Sequence, residues 1–455
     1  MALFNKVVVA NRGAVAARVL RALDALGIPS LALYSDADRH APYLEMASET
    51  AHIGAAPARE SYLNQGRLLE VARQHHADAL HPGYGFLSEN AGFAGSVEAA
   101  GLRFIGPSPR WIEAMGHKTR ARELAARHGW PLGRGSEVLP ADPAAVLRAA
   151  DEIGYPVLVK PAAGGGGIGM LPARSPAELL EVVERAASMA ERGFASREVY
   201  LERLVERPRH VEVQVIGDRH GQVAHLFERD CSVQRRHQKI IEEAHAPGLG
   251  REQLAPLLDR IGQTLSTLGY DSLGTVEMLL APDGEFRFLE MNTRLQVEHG
   301  VTEQITGVDL VQAQVRCAAG EQLGAVLPEQ IRSEGHAIQA RVYAEDPKRF
   351  LPSPGTLTAF VPPAAPHIRV ETGYRAGMDV TPHYDPLLAK VIAWAPTRAQ
   401  AIERLCGALG EFAIAGLKHN IPALLQILAS EEFQRGDVHT GLAMQVVSRQ
   451  AAKAA

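Results

Sequence analysis

The chain has 455 residues, 46% hydrophobic and 22% charged, with a formal net charge of -5 at pH 7. That size holds two to four domains with proper cores, and the composition is ordinary for a soluble globular enzyme. Mild acidity without a basic block excludes nucleic acid as a partner, no apolar run is long enough to span a membrane, and three scattered cysteines imply a reducing, cytoplasmic setting rather than a disulfide framework.

Lys6-Val7-Val8-Val9-Ala10 predicts a buried strand that follows Met1-Ala2-Leu3 directly, without a signal-peptide pattern. Asn11-Arg12-Gly13 predicts a turn. Ala14 to Leu26 predicts a helix with Val15, Val19, Leu23 and Leu26 on its apolar face, stopped by Gly27 and Pro29. Ser30 to Tyr34 completes a βαβ unit and implies a parallel sheet. The turn lacks Gly-x-Gly-x-x-Gly, so a nicotinamide cofactor is not supported. Strands around Ala77 to Leu80 and Leu102 to Ile105 run into the loops His81 to Gly85 and Gly106 to Ser108. In an open α/β sheet such loops face the ligand crevice; each taken alone is equally a plain turn.

A helix over Thr119 to His128 leads to a second α/β segment. The strand Val157 to Lys160 enters a loop with five glycines among the six positions from Gly164 to Gly169. Such a loop is either a linker or a cover whose N-H groups approach a phosphate, and its place between two strands, just after a lysine, favours the cover. It is not a Walker A loop. Val199 to Val205 reads as a strand and hinge, either gripping an adenine through its backbone and Glu202 or simply ending a strand. His210 to Val215 alternates as a strand. Glu228 to Lys239 reads as a dense polar loop with Arg229, Arg235, Arg236, His237 and Lys239. Its borders, Leu226-Phe227 and Ile240-Ile241, point it inward, where its cations would neutralise a triphosphate.

Gly274 to Leu280 and the segment from Phe286 predict a hairpin around Pro282-Asp283-Gly284. With Ala281 to Gly284 as its loop, Glu277 pairs with Phe288, and Glu277 and Glu290 become diagonal neighbours on one face. Together with Asn292 they form an all-oxygen set suited to Mg2+ bridging ATP phosphates. From Glu290 to Glu298 a period of two puts Glu290, Asn292, Arg294, Gln296 and Glu298 on one side of an extended segment. A solvated edge strand has that pattern; so does a site holding a small anion beside a metal, and an Arg between carboxylates suits the second. Beyond Gly320 the texture changes. A strand from Ala337 to Tyr343 with Arg341, Pro-rich loops, a segment from Val380 to Lys390, and helices over Arg398 to Leu409 and Pro422 to Ala429 predict a third domain.

Taken in order, these pieces resemble the ATP-grasp fold and, within it, the biotin carboxylases. The resemblance covers nearly the whole chain. It rests on Ala10 to Gly13, His81 to Asn90, the glycine loop, Glu228 to Lys239, and Glu290 to Glu298. It implies an α/β protein, α+β overall: a Rossmann-like N-terminal domain (1-115), an ATP-grasp domain (116-320) with a mobile lid (131-206), and a mixed C-terminal domain (321-455). It implies ATP, bicarbonate and Mg2+ or Mn2+ (two ions), and carboxylation through carboxyphosphate of biotin borne on a separate biotin carboxyl carrier protein. That is the first half-reaction of an acyl-CoA carboxylase, as in fatty acid biosynthesis, with carboxyltransferase subunits as partners and a homodimer as the assembly. By position, the resemblance gives nucleotide contacts to Lys118, Lys160, Gly166, Gly167, Glu202, Arg203, Leu204, Val205, His210, Gln234, His237 and Glu277. It gives the metal to Glu277, Glu290 and Asn292, and bicarbonate to Lys239, Arg294, Gln296 and the Val297 backbone. Glu298 becomes the base, and Arg341 the residue that binds biotin and stabilises its enolate. Bicarbonate is a poor nucleophile until it loses a proton, and the resulting charge needs fixed cations.

Four positions depart from the family pattern: Ala14, Ile168, Gly300 and His245. The Gly-Ile-Gly-Met and Val-Glu-His-Gly variants are similar to the urea carboxylase branch, so a component of a urea carboxylase-like complex is the alternative. An ATP-grasp ligase with a non-biotin acceptor and a non-catalytic nucleotide-binding regulator are two others. None of the nine methionines is followed by Lys, so the usual Met-Lys biotin attachment site is missing.

Overall fold

The computed structural model describes residues 3-163 and 169-454; Gly166, Gly167 and Ile168 lie outside them. The N-terminal sheet is parallel and five-stranded, in the order β3-β2-β1-β4-β5, from β1 (Val7–Val9), β2 (Ser30–Ser35), β3 (Glu49–Gly54), β4 (Ala79–His81) and β5 (Arg103–Phe104). Both faces are covered, which is why β1 is an unbroken apolar run rather than an alternation. The helix after β1, Gly13–Ala25, ends at Gly27, whose φ of 66° needs no Cβ. At the strand ends Asn11 Nδ2 donates to the carbonyls of Pro82 (2.7 Å) and Tyr84 (2.8 Å), tying two crevice loops together.

A small antiparallel sheet follows, in the order β6-β9-β7-β8, with β6 (Gly135–Val138), β7 (Val157–Pro161), β8 (Leu171–Ala173) and β9 (Val199–Arg203). The helix Pro176–Phe194 packs on it and opens with a capping box, Ser175 and Glu178 satisfying each other's backbone N-H groups.

The largest sheet is antiparallel, in the order β14-β13-β10-β11-β12-β15-β20-β18. Its strands are β10 (Arg209–Gly217), β11 (Val223–Arg235), β12 (Gln238–Ala244), β13 (Leu273–Leu280), β14 (Phe286–Asn292), β15 (His336–Tyr343), β18 (Ile368–Thr372) and β20 (Leu387–Ala395). Two short pairs flank it: β16 (Gly355–Thr356) with β19 (Asp379–Val380), and β17 (Ala359–Val361) with β21 (Ala413–Ala415). β12 pairs directly with β15, so one sheet runs unbroken across residue 320. Leu273 and Leu295 share an apolar cluster with Val7, Val9 and Leu20, which seats the N-terminal domain on this sheet. No helix among the described residues is long and apolar enough to cross a membrane.

Three expectations are corrected. Glu228 to Lys239 is not a loop but most of the β11–β12 hairpin, with only Arg236 and His237 at the turn, both at positive φ. Charged side chains sit on both buried faces there, so the period of two carries no hydrophobic signal. The β13–β14 register also differs. Leu280 faces Phe286, and a bulge at Glu277/Met278 leaves Leu289 unpaired, so Glu277 lies directly opposite Glu290 rather than diagonal to it. Finally, the extended segment ends at Asn292, and Val297-Glu298 is a turn leading into the helix His299–Thr306.

Candidate active site

Direct cross-strand partners point to the same face of an antiparallel sheet. Four strands therefore contribute one row: Glu290 on β14, Glu277 on β13, Glu212 on β10 and Arg229 on β11. Beside it runs a neutral row of Asn292, Thr275 and Gln214. Glu277 and Glu212 side by side would repel each other unless a cation entered, and Lys239 does so from β12, meeting Glu298 as well. Its Nζ lies 2.6 Å from Glu212, 2.8 Å from Glu277 and 2.7 Å from Glu298. Burial alone would lower the Lys239 pKa, but the three carboxylates hold it well above the usual lysine value. Arg229, fully buried, donates to Glu212 (2.6 Å), Gln214 (2.7 Å) and Thr302 (2.9 Å).

Glu298 sits at the start of the helix His299–Thr306 with no exposure. One oxygen takes Lys239; the other takes Arg341 Nη2 at 3.0 Å. Burial would raise its pKa, but Lys239, Arg341 and Arg229 hold it well below the ordinary carboxylate value. Arg341 is gripped from its other side by Glu242, whose own pKa burial raises against the pull of Arg341.

Arg294 is fixed on three sides. It donates to Glu89 (2.7 Å), Gln296 (2.7 Å) and Asn292 (2.6 Å), so a loop of the N-terminal domain buttresses it. Gln296 and Asn292 in turn donate to Glu277, at 3.1 and 2.8 Å. Gln234 donates to His210 Nδ1 at 3.1 Å, which leaves Nε2 as the nitrogen facing Glu277 at 3.0 Å. Lys118 reaches Glu290 at 3.3 Å.

The structure thus gathers Lys239, Glu277, Asn292, Arg294, Gln296, Glu298, Arg341, His210 and Gln234 into one contact network, with Lys118 and Glu290 at its edge. A second group lies on the small sheet. Glu202 accepts from Lys160 (2.9 Å), Arg122 (2.9 Å) and Tyr200 (3.0 Å), so its side chain is committed inside the protein. Arg203 donates to the Tyr155 carbonyl and Leu204 N-H to the Pro156 carbonyl at 3.0 Å, while Val205 follows the strand half-buried. His237 is exposed at the hairpin tip. His245, on the far side of the sheet from Arg229, lies 3.2 Å from Glu228.

Sequence reasoning expected Arg229 to neutralise a triphosphate, whereas its guanidinium is committed to Glu212, Gln214 and Thr302; it passed over Glu212, Glu242, Glu89 and Arg122. Glu212 carried a signal, since His210, Glu212 and Gln214 alternate with Val211, Val213 and Val215 as Glu290 and Asn292 alternate with Met291. The others carried none, because each owes its place to a partner far away in the chain.

The donor set of Glu277, Glu290 and Asn292 is all oxygen and stands on facing strands, which fits a hard divalent cation such as Mg2+ or Mn2+.

Residues 3-112 match the family profile "Biotin carboxylase, N-terminal domain", residues 117-326 "Carbamoyl-phosphate synthase L chain, ATP binding domain", and residues 339-445 "Biotin carboxylase C-terminal domain". Biotin carboxylase 2 of Bacillus subtilis is 46% identical over 442 residues, 96% of this chain and 98% of that protein. The mitochondrial methylcrotonoyl-CoA carboxylase subunit alpha of Mus musculus is 45% identical over 96% of this chain, which spans 61% of it. Among solved structures, the biotin carboxylase domain dimer of Hydrogenobacter thermophilus 2-oxoglutarate carboxylase, bound to MgADP, ADP and bicarbonate, superposes with a TM-score of 0.95. It is 44% identical, with 98% of each chain covered.

Proposed function

This chain belongs to the biotin carboxylase family, and from that premise we propose that the network around Lys239 and Glu298 carries out ATP- and bicarbonate-dependent carboxylation of biotin. The observation that carries the assignment is the direct contact of Glu298 with both Lys239 and Arg341. One carboxylate there joins a cation suited to phosphate and bicarbonate with a cation suited to a ureido oxygen.

Bicarbonate binds between Lys239, Arg294, Gln296 and the Val297 backbone, and Glu298 removes its proton. The deprotonated oxygen attacks the terminal phosphorus of ATP, ADP leaves, and carboxyphosphate forms. Lys239 and Arg294 hold the charge that builds on the way. The C-O bond of carboxyphosphate then breaks to give CO2 and phosphate, the phosphate takes the ureido N-H proton of biotin, and Arg341 steadies the resulting enolate, whose nitrogen attacks the CO2. Glu277, Glu290 and Asn292 would hold a divalent cation, which when bound would neutralise the ATP phosphates. Lys118, Lys160, the backbone from Glu202 to Val205, His210, Gln234 and His237 line the nucleotide side, with residues 131-206 as the lid. The domain division is 1-115, 116-320 and 321-455. We place the enzyme in the cytoplasm as a homodimer that serves a separate biotin carboxyl carrier protein and carboxyltransferase subunits with an acyl-CoA acceptor.

The test is ADP release by purified protein with Mg2+ and ATP, with bicarbonate and free biotin each present or omitted. Release that requires both is expected. Release indifferent to biotin would overturn the proposal in favour of a ligase with another acceptor.

A further inference from the structure

Lys390 is a lone lysine in the otherwise apolar strand β20 (Leu387–Ala395), fully buried and absent from the site described so far. Its Cα partner on one side is Arg341 on β15 and on the other Glu371 on β18, so Arg341, Lys390 and Glu371 form a row across three strands. The row meets consecutive residues of one turn. Arg341 takes the Glu298 carboxylate, and Lys390 Nζ donates to the Val297 carbonyl at 2.8 Å while pairing with Glu371. One peptide earlier, His299 Nδ1 lies 2.6 Å from the Gln296 carbonyl oxygen. A carbonyl accepts, so this nitrogen carries the proton and the ring is a fixed donor.

We infer that Lys390 and His299 are positioning residues that preset the Gln296-Val297-Glu298 turn for its anion, an inference that rests on reading this turn as the bicarbonate site. A trans peptide is planar, with its C=O and N-H pointing in opposite directions. Anchoring the Gln296 carbonyl aims the Val297 N-H away from His299. Anchoring the Val297 carbonyl fixes the next peptide plane and, with it, the root of the Glu298 side chain. Both planes that flank Val297 are thus held by groups that touch neither the nucleotide side nor the proposed metal set. The row also links the turn to a wider buried ion network. Glu371 meets Arg369 and lies 3.6 Å from Arg18 Nε, and Arg18 meets Glu303 at 2.9 Å. Burial holds His299 neutral, with its pKa lowered to about 3, so the donor does not switch within the working pH range.

The inference predicts a split between the two substrates. Glu371→Gln removes the charge partner but leaves the Lys390 amine, which donates whether charged or neutral; its KM for bicarbonate should stay within about twofold of the parent. Lys390→Met in the Glu371→Gln background removes the donor without stranding a buried charge; KM for bicarbonate should rise about tenfold or more, with KM for ATP within about twofold. His299→Met, which removes the second anchor by an independent route, should shift bicarbonate in the same direction. Arg294→Ala is the control for the site itself. If it raises KM for bicarbonate but the double variant and His299→Met do not, the positioning role is overturned. If Arg294→Ala leaves bicarbonate untouched, it is the bicarbonate site that is overturned, and this inference falls with it.

Discussion

With both of its oxygens held as they are here, Glu298 is a weak proton acceptor. With Lys239 at 2.7 Å and Arg341 at 3.0 Å its pKa lies well below the carboxylate norm, which makes it a poor base. Anions that compete for Lys239 would weaken its hold on Glu298 and raise the proton affinity of that carboxylate. Glu298→Gln should therefore cut bicarbonate-dependent ADP release by about 100-fold or more, while ATP binding, measured by calorimetry, stays within about threefold. Arg341→Met should spare binding of ATP and bicarbonate and abolish the stimulation of ADP release by biotin, a difference that shows when biotin is titrated at fixed bicarbonate. At this scale the sequence spoke clearly where functional side chains alternate along one strand, as from Glu290 to Asn292. It was silent on Glu242 and Glu89, which act by gripping Arg341 and Arg294 from segments roughly 100 and 200 residues away in the chain.

Elements show the same division. β1 and the helix Gly13–Ala25 were legible because burial there is expressed in apolar residues. The β11–β12 hairpin was not, because its buried faces carry Arg229, Asp230, Arg235 and Glu242, each neutralised by a partner rather than by solvent. The β13–β14 bulge was hidden for a different reason: one unpaired residue changes which carboxylates face each other without changing the pattern of either strand. Gly300, a departure from the family pattern, gains a reason at this scale. A Cβ at that position would come within 2.4 Å of Ile392 Cδ1, so the helix carrying Glu298 sits down on β20 without a spacer. Gly300→Ala should destabilise the protein by about 1–3 kcal/mol, despite the better helix propensity of alanine. Ile392→Val, which removes that Cδ1, should recover much of the loss. A double-mutant cycle in urea reads the coupling, and purely additive effects would contradict the packing argument.

For the whole molecule, two buried histidines set a pH dependence. Burial lowers the pKa of both His81 and His299 to about 3, against 6.5 for a free imidazole. Between those values the unfolded chain binds the protons and the folded chain does not, so the stability these residues contribute is complete above 6.5 and is lost as pH falls toward 3. The cost is about 1 kcal/mol per histidine for each pH unit below 6.5. Glu303, with its pKa lowered to about 2, adds a loss of the same sign below 4.5. The thermal midpoint should fall steadily from pH 7 to pH 5, and His81→Gln should flatten that slope; an unchanged slope would show that His81 is not the group responsible. The unbroken large sheet carries another consequence, for how the protein can be divided. Family boundaries suggest a cut between residues 326 and 339, yet β12 hydrogen-bonds to β15 across that gap, and the groups meeting at Glu298 come from both sides of it. A polypeptide stopped at residue 335 would present β12 as a raw edge, open to pairing with its own copies. It should be recovered as aggregate, and as soluble protein only when residues 336-455 are made alongside it. The sequence modules of this enzyme are then not its units of folding, and exchanging one between relatives means exchanging a seam of hydrogen bonds as well.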